Sequence, residues 1–226
     1  MLADNVCKIR EKVERACAST GRQDEVRILA AVKTVPPEKI IGLRECGIDL
    51  IGENRVQELV EKYPALKGKF EMHFIGALQT NKVSKVLDKV TLIHSLDRAS
   101  LADEIDRHAR AAGKRAGVLI EINAGGELSK SGVSPDGFMG FAEYALSKQN
   151  LSVRGVMSVL PIGAPEGMYE NVRELYEKLR SVCPQADILS MGMSGDFETA
   201  VKHGSNLIRI GSALFGKRIY EVEKNV

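Results

Sequence analysis

The sequence predicts an α/β fold, a single closed (β/α)8 barrel of the TIM type with one extra helix in front. Three observations carry this. About eight short apolar segments, rich in β-branched residues and with little polar alternation, read as parallel strands covered on both faces. Each is followed by a segment of helical period, and strand-then-helix alternation implies a parallel sheet. Eight such units in 226 residues is the arithmetic of a closed barrel. An open doubly wound sheet is the alternative, but the Gly-x-Gly-x-x-Gly turn expected after its first strand is absent. No linker-like shift in composition divides the chain, so residues 1–226 are expected to form one domain.

The elements follow in order. Val6, Ile9, Val13 and Ala16 or Cys17 make the apolar stripe of a first helix near residues 3–20, and Gly21 ends it. Arg27-Ile28-Leu29-Ala30-Ala31-Val32-Lys33 reads as a buried strand ending on a lysine. Pro36 and Pro37 stop it and lead into a helix through Ile40, Ile41 and Leu43. Strand two is 48–51, running into Gly52-Glu53-Asn54, and a helix with Val56, Leu59 and Val60 follows. Strand three is 72–76, then a helix around Val83, Val86 and Leu87. Strand four is 91–93, and Asp97 is placed to cap the helix carrying Leu101, Ile105 and Ala109. Strand five is 117–122, followed by a loop rich in glycine and serine from Asn123 to Ser134, then a helix face of Phe138, Phe141 and Ala145. Strand six is 151–156, backed by an amphipathic helix with Val172, Leu175, Tyr176 and Leu179. Strands seven and eight are 186–190 and 206–210, with a short helix after Gly195 between them.

Composition excludes several classes. A hydrophobic fraction of 44% suffices for one sizeable core, and a net charge of +2 calls for neither nucleic acid nor an anionic membrane. No apolar run approaches a bilayer span, and no secretory signal precedes the first helix, so a cytoplasmic protein is expected. Cys7, Cys17, Cys46 and Cys183 form no C-x-x-C pair. Cys7 and Cys17 would lie about 15 Å apart on one helix, too far for a disulfide, so reduced thiols are expected. His73, His94, His108 and His203 show no metal-ligand spacing.

In a barrel, chemistry sits at the C-terminal ends of the strands. This chain places there Lys33, Asn54, His73, the run Gly155-Val156-Met157-Ser158, the loop from Ser190 through Ser194 to Asp196, and Arg209-Ile210-Gly211-Ser212. Small residues after strands seven and eight, each with a helix just behind, are the usual phosphate cradle of such barrels; plain turns with good caps are the other reading. Period-2 alternation turns Ile208 and Ile210 toward the helices and Arg209 into the barrel, where it needs either an internal carboxylate or a bound ligand. Strands one and eight are neighbours on closure, which brings Lys33 to the cradle. A lone lysine at a strand end is usually a solvated charge. A lysine amine beside a phosphate cradle suggests pyridoxal 5′-phosphate (PLP) held as a Schiff base, or a phosphosugar aldolase.

At these residues the chain resembles the pyridoxal phosphate homeostasis protein family (the YggS/PROSC type) and, more distantly, the barrel domain of alanine racemase, PLP fold type III. The carrying stretches are Ala31-Val32-Lys33-Thr34, Gly52-Glu53-Asn54 through Gln57-Glu58, His73-Phe74-Ile75-Gly76 through Gln79-x-Asn81-Lys82, His94-Ser95-Leu96-Asp97, Lys130-x-Gly132, Met191-Gly192-Met193-Ser194 and Arg209-Ile210-Gly211-Ser212-x-x-Phe215-Gly216. The resemblance spans nearly the whole chain. It implies that Lys33 forms the internal aldimine, that Ser194, Gly211 and Ser212 hold the phosphate, that Asn54 lies beside the cofactor, and that Arg209 faces the pyridine nitrogen. His73, Met157 and Ser158 complete the expected cofactor-binding set.

An arginine opposite the pyridine nitrogen opposes its protonation and weakens the electron sink. Racemases of this fold work with such an arginine but add a tyrosine and a second domain. The sequence ends shortly after strand eight, and none of Tyr63, Tyr144, Tyr169, Tyr176 and Tyr220 is placed for proton transfer. The expected role is therefore not catalysis but storage, carriage or buffering of PLP by a monomer, with PLP-requiring apo-enzymes as partners. The alternatives are an amino-acid racemase-like enzyme and a Schiff-base lyase on a phosphosugar.

Overall fold

A computed structural model describes residues 2–127 and 131–216. Eight parallel strands close into one barrel in sequence order: β1 (Arg27–Ala31), β2 (Leu50–Glu53), β3 (Glu71–Phe74), β4 (Leu92–Leu96), β5 (Ala116–Ile122), β6 (Leu151–Ser158), β7 (Ile188–Ser190) and β8 (Leu207–Ile210). Closure is made by β1 on β8, with Leu29 opposite Arg209. Helix α1 (Leu2–Ser19) precedes the barrel and buries Val6, Ile9, Val13 and Ala16, the stripe its spacing predicts. Helices α2 (Pro37–Ile41), α3 (Val56–Leu66), α4 (Val83–Val86), α5 (Ala99–Ala111), α6 (Phe138–Leu146), α7 (Glu166–Val182) and α8 (Phe197–Lys202) follow strands β1 to β7 in turn, and the single-turn α9 (Ser212–Phe215) follows β8.

Most of the core lies between sheet and helices, where Ala30, Ile51, Phe74, Ile93, Val118, Val156, Ile208 and Ile210 turn outward. Among the described residues the barrel interior holds two small apolar groups, Leu29 with Leu50 and Leu207, and Leu92 with Leu119 and Met157, with Ile188 packed against both. The rest of that interior carries polar side chains, among them buried His73, His94 and Arg209. A bulge in β6 shifts its register on β5 after Val118. Gly155, at φ 142°, makes the bulge possible, because a Cβ there would stand 1.8 Å from the Ile188 carbonyl oxygen.

Several boundaries shift by two or more residues from the expectation, and three differences bear on the site. β1 stops at Ala31, so Lys33 stands in the turn beyond the strand and not at its last ladder position. β4 runs on through His94 and Ser95 to Leu96. Polar residues that face a barrel interior do not look like a strand in sequence. Asp97 does not cap α5; the residue before the helix is Arg98, and Asp97 pairs with its guanidinium at 2.6 Å. All four cysteines are free thiols, as expected.

Candidate functional site

Lys33 is half-buried at the C-terminal end of the barrel. Its backbone is fixed by local constraints. The Val32 amide continues the ladder by donating to the Gly52 carbonyl at 3.0 Å. Thr34, next in the chain, adopts φ 64°, a conformation rare for a β-branched residue. Ala31, beneath Lys33, remains partly exposed, so the barrel mouth is open there.

The β7 and β8 loops meet beside this end. Asp196 shapes the first: its Oδ1 accepts the Met193 amide at 2.7 Å, and its Oδ2 accepts the Tyr169 hydroxyl at 2.9 Å. The Arg209 amide donates to the Gly192 carbonyl at 3.0 Å and ties that loop to β8. These constraints bring the Ser194 hydroxyl to the Gly211 and Ala213 amides, which donate to its Oγ at 3.2 and 3.1 Å. The hydroxyl still has its own proton to give. Ser212 is exposed at the same turn. Both amides are taken by Ser194 Oγ, so what the cluster leaves for an anion is the Ser194 hydroxyl proton, with exposed Ser212 beside it.

Arg209 points into the barrel, as alternation requires. Its Nη1 donates to the Ser190 carbonyl at 3.0 Å and to Ser190 Oγ at 2.6 Å, and its Nη2 donates to the Ser158 carbonyl at 2.9 Å. Among the described residues no carboxylate forms an ion pair with it, so the internal salt bridge considered from sequence is absent. Burial lowers its pKa to about 10, against the pull of Asp196 and Glu121, and it stays cationic at neutral pH. Glu121, on the interior face of β5, is pushed up to about 7 by burial, with Asp97 adding to the rise and Arg209 opposing it.

The other expected residues divide. Asn54 follows β2 with its backbone against Gly76, where a Cβ would meet the Asn54 carbonyl oxygen at 2.1 Å. Met157 packs inside the barrel against Leu92 and Leu119. Ser158 contributes its carbonyl to Arg209, while its hydroxyl donates to the Ile122 carbonyl at 2.8 Å. His73 requires correction. Its ring pairs with Glu71 at 2.9 Å and with His94 at 3.0 Å, and it lines a cavity of about 290 Å³ with Arg27 and Glu71 at the N-terminal mouth. Both ring nitrogens are thereby engaged, by Glu71 at the start of β3 and by His94 on β4. Burial keeps both imidazoles below their ordinary pKa, His94 strongly so. Lys82 is half-buried at the end of a single 3-10 turn, Thr80–Lys82. Lys130 and Tyr220 lie outside the described residues.

Sequence reasoning missed three groups. Glu121 reads as one polar residue in an apolar strand. Glu58 stands in the sequence reading only as part of a matching stretch and Lys62 not at all, yet Lys62 is buried with its ammonium 2.6 Å from Glu53 and 2.8 Å from Glu58. The available signal was position: Lys62 falls on the same stripe of α3 as buried Leu59 and Leu66.

The fold and this end of the barrel define a domain of the alanine racemase N-terminal class, and that family matches residues 5–219. Alanine racemase of Clostridium difficile shares the fold, with a TM-score of 0.74 at 14% identity, over 96% of this chain and 61% of the racemase. PipY of Synechococcus elongatus, solved with PLP bound, is similar with a TM-score of 0.82 at 28% identity, over 96% of this chain and all of PipY. The pyridoxal phosphate homeostasis protein of Aquifex aeolicus is 45% identical over 96% of this chain and 98% of its own length. The chain belongs to the pyridoxal phosphate homeostasis protein family.

Proposed function

We propose that this chain, as one domain over residues 1–226, binds PLP as a Schiff base on Lys33 and serves in PLP homeostasis by storing, carrying or buffering the cofactor. One observation carries the reading. The Ser194 hydroxyl cluster, in the loops after β7 and β8, and Lys33, after the adjacent β1, lie at the same end of the barrel, with the Arg209 cation of β8 buried against Ser190 of β7 and Ser158 of β6. When bound, PLP supplies an aldehyde that condenses with amines and a ring that withdraws electrons. Ser194, Gly211 and Ser212 hold the phosphate, Asn54 flanks the ring, and Arg209 faces the ring nitrogen. A fixed cation there keeps that nitrogen unprotonated, which suits retention better than carbanion chemistry. The Ser158 carbonyl holds the Arg209 guanidinium, and Met157, next to Ser158 in sequence, packs the barrel interior. PLP-requiring apo-enzymes are the proposed recipients, and the protein is proposed to work as a monomer in the cytoplasm. Among the described residues, no helix is long and apolar enough to cross a membrane.

The test is the visible spectrum of the PLP-treated protein beside Lys33→Ala. The expected result is a visible band that borohydride removes, with the reduced label on Lys33, and no band in the variant. A wild type that takes up no PLP would refute the assignment. Turnover of amino acids by the isolated chain would favour the racemase-like alternative.

A further inference from the structure

Helix α3 grips the backbone on both sides of Lys33. Glu58 and Lys62 stand four residues apart on it, on one face, with their charged groups 2.8 Å apart. The Lys62 ammonium donates to the Val32 carbonyl at 2.9 Å, which belongs to the peptide unit entering Lys33. The Glu58 carboxylate accepts the Thr34 amide at 2.7 Å, which belongs to the peptide unit leaving it. The third Lys62 donor goes to Glu53 at the end of β2, at 2.6 Å. All three ammonium hydrogens therefore have an acceptor, and the side chain is only 8% exposed. Burial raises the Glu58 pKa, but Lys62, the Thr34 amide and Arg55 outweigh it and hold the carboxyl below its ordinary value. Burying an ammonium is costly, and a loop lysine needs no such bracket merely to remain in a turn. The bracket also keeps Thr34 in its left-handed conformation, which would relax in a free loop.

We propose that Glu58 and Lys62 are positioning residues for Lys33: by fixing both peptide planes around its Cα they fix its Cα–Cβ direction, and so determine how firmly PLP is retained against competing amines. This rests on the reading of Lys33 as the PLP anchor. On loading, the Lys33 amine adds to the aldehyde carbon and water leaves. On release, an incoming primary amine adds to that carbon, and Lys33 departs as a free amine with the proton the newcomer gives up. No oxidant or reductant is consumed. A Lys33 held over the carbon recaptures it before the newcomer completes the exchange; a loosened Lys33 does so less often.

The experiment loads the full chain with PLP, adds hydroxylamine, and follows loss of the visible band. Glu58→Ala and Lys62→Met are each expected to release PLP about tenfold faster, the weight of one charge-assisted hydrogen bond. Glu58→Gln keeps an acceptor for the Thr34 amide and is expected to restore most of the retention. Melting temperature is recorded alongside, because a purely structural role would lower it without changing the release rate of the folded protein. Hydrogen exchange at the Thr34 amide in the PLP-free wild type reads the bracket independently of any variant, and slow exchange is expected. Unchanged release in a folded Glu58→Ala protein, or exchange at Thr34 as fast as in an open loop, would overturn the proposal. In either case normal borohydride labelling of Lys33 leaves the PLP reading standing. A wild type that traps no PLP on Lys33 overturns both.

Discussion

Glu121 should make the stability of this barrel fall as pH rises from 4.5 to about 7. Its carboxyl sits inside the barrel at the level of Met157, with Asp97 and Arg209 as the charges that act on it. Burial and Asp97 lift its pKa from 4.5 to about 7 in spite of Arg209. The sign follows from linkage. Below pH 4.5 the group is protonated in both the folded and unfolded chain and favours neither. Between 4.5 and about 7 the unfolded chain sheds the proton first, so unfolding gains progressively. Above about 7 the loss is complete. At 1.36 kcal/mol for each unit of displacement the ceiling is about 3 kcal/mol, and partial exposure reduces it to roughly 2 kcal/mol. Glu121→Gln cannot ionise, so it removes this dependence. Melting temperatures of wild type and Glu121→Gln, without PLP, should differ little at pH 5 and diverge by pH 8. The variant should then melt higher by about 4–8 °C, since 1 kcal/mol is worth about 2–4 °C in a chain of this size. A difference that stays constant from pH 5 to pH 8 would refute the placement of Glu121 as a buried, titrating carboxyl.

Two further predictions concern the barrel interior and the mouth. Burial depresses the pKa of His94, so the stability its neutral ring brings is present above the ordinary histidine range and is lost as pH falls below about 6.5. His94→Leu should therefore flatten the decline in melting temperature between pH 7 and pH 5, while costing about 1 kcal/mol or more at pH 8 because His73 Nδ1 loses its partner; parallel curves would count against it. Gly76→Ala places a methyl 2.1 Å from the Asn54 carbonyl oxygen and must displace that loop. It is expected to weaken PLP uptake in a visible titration while the far-ultraviolet circular dichroism is kept, and undiminished uptake would show that Asn54 does not flank the cofactor.

Two kinds of information differ in how far the sequence displays them. Which way a strand residue faces is legible, because a period of two leaves no choice once the apolar partners are known. Ile208 and Ile210 pointing outward force Arg209 inward, and the structure places all three so. Where a strand stops is not legible from apolar runs when the interior is polar. His94 and Ser95 hide the second half of β4, and Val32 extends an apolar run past the last residue of β1. Level along the barrel is harder still. His73 and Lys33 both looked like strand-end residues, yet one belongs to each mouth, because the register between strands sets height and no single strand records it. Lys62 was hidden by its type: a lysine on a helix is read as solvated unless the stripe it occupies is counted.

The partners chosen for Arg209 bear on what its charge can do. A buried guanidinium held by a carboxylate would be electrically closed, with little field left for a ligand. Here the acceptors are the Ser190 and Ser158 carbonyls and the Ser190 hydroxyl, which satisfy N–H groups without cancelling charge. They engage Nη1 and Nη2; of the two acids that act on Arg209 through space, Asp196 and Glu121, the second has its pKa pushed up to about 7. The cation is thus buried and held by neutral acceptors, with Asp196 and Glu121 acting on it only through space, and burial outweighs their pull and lowers its pKa to about 10. Such a group is stabilised by an electron-rich acceptor and opposed to a second positive charge. A neutral pyridine nitrogen fits the first condition, and a protonated one violates the second. The same three neutral bonds that let the arginine be buried therefore favour a bound, unactivated cofactor over a strongly electron-withdrawing one, and this links the folding chemistry of β7 and β8 to the proposed role in holding PLP.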